Sequence, residues 1–264
     1  MTAWHRRAIR KAQADQSNLQ NIAHRFVNNK VDLICAIATP AAQTVANVTS
    51  DIPIVATAVT DYKTAKLVKD DAKPGTNVTG TTDMNPVAEQ LDLLLKLVPN
   101  AKTIGTIYCS SEVNSQLQVE LLKKAAAAKG ITVKEATVST VNDIQQAARS
   151  LAGDVQAVYV PTDNVLASAI PTLISVTEEA KLPVICAEGG MVRAGGLATL
   201  GVDYYKLGFQ TGVMAADILS GKAKPADMAI QAQKEFKPTI NLKEAAKIGL
   251  KVPEDLLKGA EVIK

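Results

Sequence analysis

Aromatic side chains make up only 3% of these 264 residues, and the two histidines, His5 and His24, both fall in the amino-terminal segment. Histidine chemistry is thereby excluded from every polar cluster further along. No GxGxxG, Walker, GxSxG or HExxH pattern occurs, which removes the common nucleotide, esterase and zinc-protease sites. The three cysteines, Cys35, Cys109 and Cys186, are odd in number, far apart and without CxxC spacing. They announce neither a disulfide framework nor a zinc site, no cofactor is expected, and buried free thiols are the simpler reading. No apolar stretch approaches the roughly 18 residues of a membrane span. Charge of either sign is also scarce in excess: the net charge is +3 and the basic residues are spread out, so nucleic acid is not an expected partner. The one basic cluster, His5-Arg6-Arg7 with Arg10-Lys11, reads as a solvated, frayed terminus. It lacks the apolar core and cleavage site of a signal peptide, so no export signal is expected in the chain as written.

What the chain does have is alternation. Six times a short apolar run rich in β-branched residues ends in a small polar cluster: Val31–Ala38 into Thr39-Pro40, Val78–Gly80 into Thr81-Thr82-Asp83, Thr103–Tyr108 into Ser110-Ser111, Val155–Val160 into Thr162-Asp163-Asn164, Pro183–Ala187 into Glu188-Gly189-Gly190, and Leu197–Val202 into Asp203-Tyr204-Tyr205. Helical periodicity follows most of them, as in 41–48, 83–98, 110–129, 142–152, 165–180 and 205–219. Strand and helix in alternation require a mostly parallel sheet. A length of 264 residues allows two lobes, and Pro99-Asn100 marks the expected boundary. Only three good strands precede it, so the first half looks short at its amino end.

Polar clusters at the carboxyl ends of buried strands, where helices begin, are where open α/β sheets bind ligands. Ser110, Ser111 and Asn114 stand at an expected helix start and suit a carboxylate, though one serine there also serves as a plain cap. Asp163, with Thr162, either neutralises a ligand ammonium from an exposed cleft position, where its removal would spare folding, or caps the next helix. Glu188 adds a second acid beside glycines, or is an exposed turn residue. Thr39, Ala41, Thr82 and Asp83 would line the opposite wall, with Thr39 and Asp83 also read as helix caps. Asp203 either caps its helix or presents an acid at a hinge. No catalytic residue is assigned; Asp163 and Glu188 as an acid–base pair form a lesser alternative.

The segments ATPAAQTVAN (38–47), GTTDMNPVAEQLDLL (80–94), IYCSSEVNSQ (107–116), VYVPTDN (158–164) and GGMVRAGGLATLGVDYYKLGFQTG (189–212) together resemble the substrate-binding proteins of bacterial ABC importers, in the branch associated with tryptophan, tyrosine and phenylalanine. The resemblance implies a type I periplasmic-binding-protein fold: two doubly wound, mostly parallel α/β lobes joined by three crossovers at a hinge. It implies lobes of residues 1–101 plus 204–227 and 102–203 plus 228–264. It further implies capture of an amino acid between them without turnover, delivery to ABC permease subunits, and an extracytoplasmic location. Ser110, Ser111 and Asn114 then face the ligand carboxylate and Asp163 its ammonium, with Thr39, Ala41, Thr82 and Asp83 opposite. Family members carry a strand, a helix and a second strand before the position of Asp15. Their absence here is read as a truncated or misread start that leaves the first lobe incomplete and open to self-association. A ligand-sensing regulator of the same fold is the second reading.

Overall fold

The computed structural model describes residues 7–264; His5 and Arg6 of the basic cluster lie outside them, while Arg7, Arg10 and Lys11 belong to an exposed segment without regular structure. The helices and strands run α1 (Gln16–Asn28), β1 (Ile34–Ile37), α2 (Thr39–Val48), β2 (Ile54–Val59), β3 (Val78–Thr82), α3 (Val87–Leu97), β4 (Thr103–Cys109), α4 (Val113–Ala128), β5 (Thr132–Val138), α5 (Ile144–Ala152), β6 (Val158–Val160), α6 (Asn164–Ser168), α7 (Ile170–Glu179), β7 (Val184–Cys186), α8 (Gly189–Arg193), β8 (Ala198–Gly201), α9 (Tyr204–Leu219), β9 (Gln231–Ala232), β10 (Lys237–Asn241), α10 (Leu242–Ile248), α11 (Glu254–Leu257) and β11 (Glu261–Ile263). They build two sheets, one ordered β1-β2-β3-β9 and one ordered β11-β10-β8-β7-β6-β4-β5. Every pairing is parallel except β8 with β10. The mostly parallel sheets are what the alternation predicts, and two α/β lobes are what the resemblance to type I periplasmic binding proteins implies.

Packing draws the line between lobes elsewhere than expected. Helix α3 was expected in the first lobe, yet its Leu91 and Leu94 pack with Ile104, Leu122, Tyr159 and Ile185 of the second. Gln90 fixes it there by donating to the carbonyls of Ala187 and Leu200 while accepting from the Tyr159 hydroxyl. In the other direction, β9 falls in the stretch assigned to the second lobe but pairs with β3 of the first sheet. A two-residue strand carries too little periodicity to be read beforehand, and the fourth strand of the short first half therefore comes from far along the chain. Residues 261–263 form the edge strand β11, paired with β10.

In the first lobe, α1 and α2 cover one face, burying Ala23, Ala42 and Val45 against Ile34, Ala36, Ile54 and Ala56. Helix α9 covers the other, with Met214, Ala215 and Ile218 on Val55. A buried hydroxyl chain, Thr57 to Thr81 to Thr211, ties α9 to β2 and β3. Alternate residues of a strand face opposite sides, so Cys35 and Ile37 share the α9 side of β1, where Ile37 is 68% exposed.

Candidate functional site

The carboxyl ends of β1, β2, β3, β6 and β7 meet between the two lobes and enclose a cavity of about 250 Å³. Its walls are Ile37, Ala38, Thr39, Ala58 and Asp83 from the first lobe and Asn114, Thr162, Asp163, Asn164, Ala167, Glu188 and Met191 from the second, with Tyr204 at the crossover. The lobes touch beside it, where Val113 packs on the first lobe's core, and the crossover between them is fixed by Asn85 Nδ2, which donates to Thr162 Oγ1 across 3.2 Å.

Two backbone positions on the first wall are strained. Ala38 has φ 77° and Ala58 φ 55°, conformations that cost a residue with a Cβ about 1–3 kcal/mol and that collect at ligand sites. Ala58 sits where the β2–β3 register shifts between Ala56 and Val59, and such bulges re-aim a strand end. Ala38 precedes α2, which no side chain caps; the first-turn N–H groups of Thr39 and Ala41 point out of the helix without an intrahelical acceptor. Thr39 lies inside that helix rather than capping it, and Ala41 stays outside the cavity lining.

Asp83 is fully buried at the end of β3 and accepts from Tyr204 Oη at 2.7 Å and Thr60 Oγ1 at 3.1 Å. Burial raises its pKa. It caps no helix, contrary to expectation, because α3 starts only at Val87 with Pro86 at its cap. Thr82 is turned away: its hydroxyl donates to the Thr60 carbonyl and accepts from Met84 N.

The second wall rests on a carboxylate pair. Asp163, 2% exposed, accepts from Leu166 N at 2.9 Å, Cys109 N at 2.6 Å and Ser115 Oγ at 2.8 Å. It is therefore a buried cap and a cavity wall at once, and not the exposed residue of the sequence reading. Glu112, which drew no notice in the sequence, takes the N–H groups of Asn164 and Val165 and the side chain of Asn114. Burial, with the Glu112 charge beside it, pushes the Asp163 pKa up to about 6. Asn114, 3% exposed, donates to Glu112 and to the Thr162 carbonyl, while its Oδ1 has no partner.

Ser110 and Ser111 do not belong to this wall. Helix α4 begins at Val113, three residues later than expected, and leaves both serines exposed before its first turn. Glu188 lines the cavity and caps α8, accepting from Gly190 N and Met191 N, and burial raises its pKa. Asp203 caps α9 through Tyr205 N and Lys206 N and faces a separate cavity. Tyr204, one half of an adjacent tyrosine pair in an aromatic-poor chain, supplies the aromatic ring in the cavity lining. Three carboxylates and no basic side chain therefore surround the space, among the described residues. Among the described residues no group of histidine, cysteine and acidic side chains could hold a metal ion, and no helix is long and apolar enough to cross a membrane.

Comparison with known proteins places this geometry in a family. Residues 5–264 match the model for ABC transporter substrate binding proteins. A tyrosine-binding protein of Clostridioides difficile is 46% identical over 215 residues, which is 81% of this chain and 62% of the relative; this chain thus spans less than two thirds of that protein's length. Among solved structures, an ABC domain in complex with L-Trp from Streptococcus pneumonia is 42% identical, with a TM-score of 0.91 over 95% of this chain and 84% of that one. The ligand-free, open structure of a substrate-binding protein with adhesive properties from Clostridium difficile is 43% identical over 97% and 85%, with a TM-score of 0.70. With a strand-end cavity between two parallel-sheet lobes and a family match along nearly its whole length, the chain belongs to the ABC transporter substrate binding proteins.

Proposed function

We propose that the interlobe cavity captures a free amino acid, aromatic by preference, and hands it unchanged to ABC permease subunits outside the cytoplasm. The observation that carries this reading is the cavity's charge pattern. Asp83, Asp163 and Glu188 favour a ligand ammonium, while no lysine or arginine offers itself to the ligand's other end. A carboxylate is instead served by the free first-turn N–H groups of α2 and the positive ends of the helix dipoles. Asn114 Oδ1, buried and unpartnered, adds an acceptor for the ammonium. At about 250 Å³ the space lies just under the range of drug-sized ligands, roughly 300–1,000 Å³, which suits one amino acid.

The apolar part of the wall, Ile37, Ala38, Ala58, Ala167 and Met191, supports a ring rather than a charged side chain. Ile37 is bare although it faces the cleft, as a residue awaiting a ligand surface would be, and Met191 offers a sulfur to an aromatic edge. The relatives named for tyrosine and L-Trp support the same preference. At nearly equal identity, the higher similarity to the L-Trp complex than to the ligand-free, open structure favours a closed arrangement of the lobes, in keeping with the Val113 contact. Asp163 and Glu188 are engaged as caps of α6 and α8 and Asp83 by the Tyr204 and Thr60 hydroxyls, which supports a role for all three in holding a ligand. Self-association through the first lobe, where β1 is bare, belongs to the same reading.

Thermal unfolding against the twenty amino acids tests it. A ligand bound only by the folded chain stabilises by mass action, about 2.7 kcal/mol at a hundred times Kd. A selective rise in Tm with tryptophan, tyrosine or phenylalanine is expected. A rise with basic or acidic amino acids alone would overturn the aromatic preference, and no rise with any would overturn the amino-acid reading.

A further inference from the structure

Two buried carboxylates, Asp163 and Glu112, stand side by side at the second wall, and no lysine or arginine lines the cavity to balance them. Arg193 of α8 is drawn off by Glu261, to which it donates twice at 3.0 Å. Like charges buried together are costly unless one of them is neutralised. The hydrogen bonds decide which one. Glu112 accepts only from N–H groups, those of Asn164 and Val165 and the amides of Asn164 and Asn114, and an N–H cannot turn round to accept. Asp163 accepts from Leu166 N on Oδ1 and from Cys109 N and the Ser115 hydroxyl on Oδ2. That hydroxyl is reversible, because Ser115 Oγ also reaches the Thr162 carbonyl at 3.0 Å; once it donates there, it accepts from a protonated Asp163. The network thus has a place for a proton on Asp163 and none on Glu112. A carboxylate offers about four acceptor sites, so the anion keeps one free beside the Leu166 bond.

We propose that capture exchanges a proton for the ligand's ammonium at Asp163: in mild acid the unliganded chain carries a proton on this carboxyl, and the incoming ammonium displaces it. The exchange rests on the reading of the cargo as an amino acid. The O–H bond on Asp163 breaks, its proton passes to the solvent buffer, and the freed carboxylate accepts an N–H of the ammonium, so one positive charge leaves as one arrives. While the proton stays, donor faces donor. The surroundings reinforce the effect. Glu112 on α4 adds a like charge, and Asp83 and Glu188, at the ends of β3 and β7, face the same cavity. The Tyr204 hydroxyl is spent on Asp83, and the Cys109 thiol meets Ser111. Asp143, in the turn Val141–Asp143, is held at the surface by Ser139 and Thr140, and the acids of α7, Glu178 and Glu179, lie at its far end. Burial and the Glu112 charge push the Asp163 pKa up to about 6, so binding should be about tenfold weaker at pH 5 than at pH 7.

Calorimetric titration with L-tryptophan in phosphate and in imidazole counts the protons, because buffers of unlike ionisation enthalpy give unlike heats only if protons move. Tryptophan's own ammonium and carboxylate do not titrate in this range. Release of about half a proton or more per tryptophan is expected at pH 6, and close to none at pH 8. Glu112→Gln, which removes the charge beside Asp163, should reduce the release at pH 6; a merely structural role would change Kd equally at every pH. Binding with equal heats in the two buffers at pH 6, or with proton uptake, would overturn the exchange and leave the amino-acid reading standing. Unchanged release in Glu112→Gln would assign the proton to Asp83 or Glu188 and overturn it for Asp163. No binding of tryptophan, tyrosine or phenylalanine at any pH would overturn both. If Glu112→Gln does not fold, the buffer comparison on the parent chain still decides.

Discussion

Gly80→Ala is expected to unfold the first lobe. Gly80 holds φ 151° in β3, and a Cβ there would stand 1.8 Å from the Ala56 carbonyl oxygen and 2.5 Å from the Tyr62 hydroxyl. Neither neighbour can yield. Ala56 is the partner of Gly80 in the β2–β3 ladder, and the buried Tyr62 hydroxyl sits 2.9 Å from the Ala56 carbonyl and 3.0 Å from that of Thr81. Relief would require parting two central strands of a four-stranded sheet or expelling a fully buried ring. A loss of about 4 kcal/mol or more follows, a large share of the roughly 5–15 kcal/mol that holds a domain together. Gly130→Ala is the control. Its φ is 67°, yet nothing lies within 4 Å of the added carbon, so only the backbone preference is lost, about 1 kcal/mol. Urea titrations followed by circular dichroism should separate the two; equal midpoints would contradict the packing described for β2, β3 and Tyr62.

Asp163→Ala is the second large effect, and it falls on folding and binding together. Truncation orphans the buried Cys109 N–H, leaves the Ser115 hydroxyl only the Thr162 carbonyl as acceptor, and uncaps α6 at Leu166. At about 1–3 kcal/mol for each buried unpaired group, partly offset by relief from the Glu112 charge, a net loss of about 2–4 kcal/mol is expected. A variant that kept the parent's urea midpoint would contradict the buried geometry. The same residue gives a pH signature. Its folded pKa, about 6, lies above the ordinary aspartate value of 3.8, so the folded chain holds this proton more tightly than the unfolded chain. The stability it contributes is complete below about pH 4 and is lost as pH rises through about 6. Other carboxylates shift in both directions, so the informative quantity is a difference: the fall in urea midpoint from pH 4.5 to 7 should be smaller in Asp163→Asn than in the parent.

The alternation of apolar runs and polar clusters was enough to foretell a mostly parallel sheet, because a strand buried on both faces leaves a continuous apolar run and its loop must be polar, while the two lobes followed from the length and the resemblance. That Thr39, Asp83, Thr162, Asp163 and Glu188 stand at strand ends, where they line the cavity, was legible for the same reason. Ser110 and Ser111 misled because hydroxyls before a helix look alike whether or not the first turn begins there; α4 waits until Val113. Glu112 went unread since an acid at a helix start is ordinary on the surface, and only the fold brings it under α6. Ala38 and Ala58 gave no signal at all, for strain at an alanine leaves no trace in composition. The placement of α3 and β9 depended on contacts far apart in sequence, such as Gln90 with Leu200 and Thr82 with Ala232, which no local pattern carries.

The most direct test of capture without chemistry is calorimetric titration of the chain with L-tryptophan at pH 7, followed by recovery of the ligand. The account predicts saturable binding of one tryptophan per chain, with the amino acid returned intact. Absence of binding by tryptophan, tyrosine and phenylalanine alike, or recovery of an altered molecule, would contradict it.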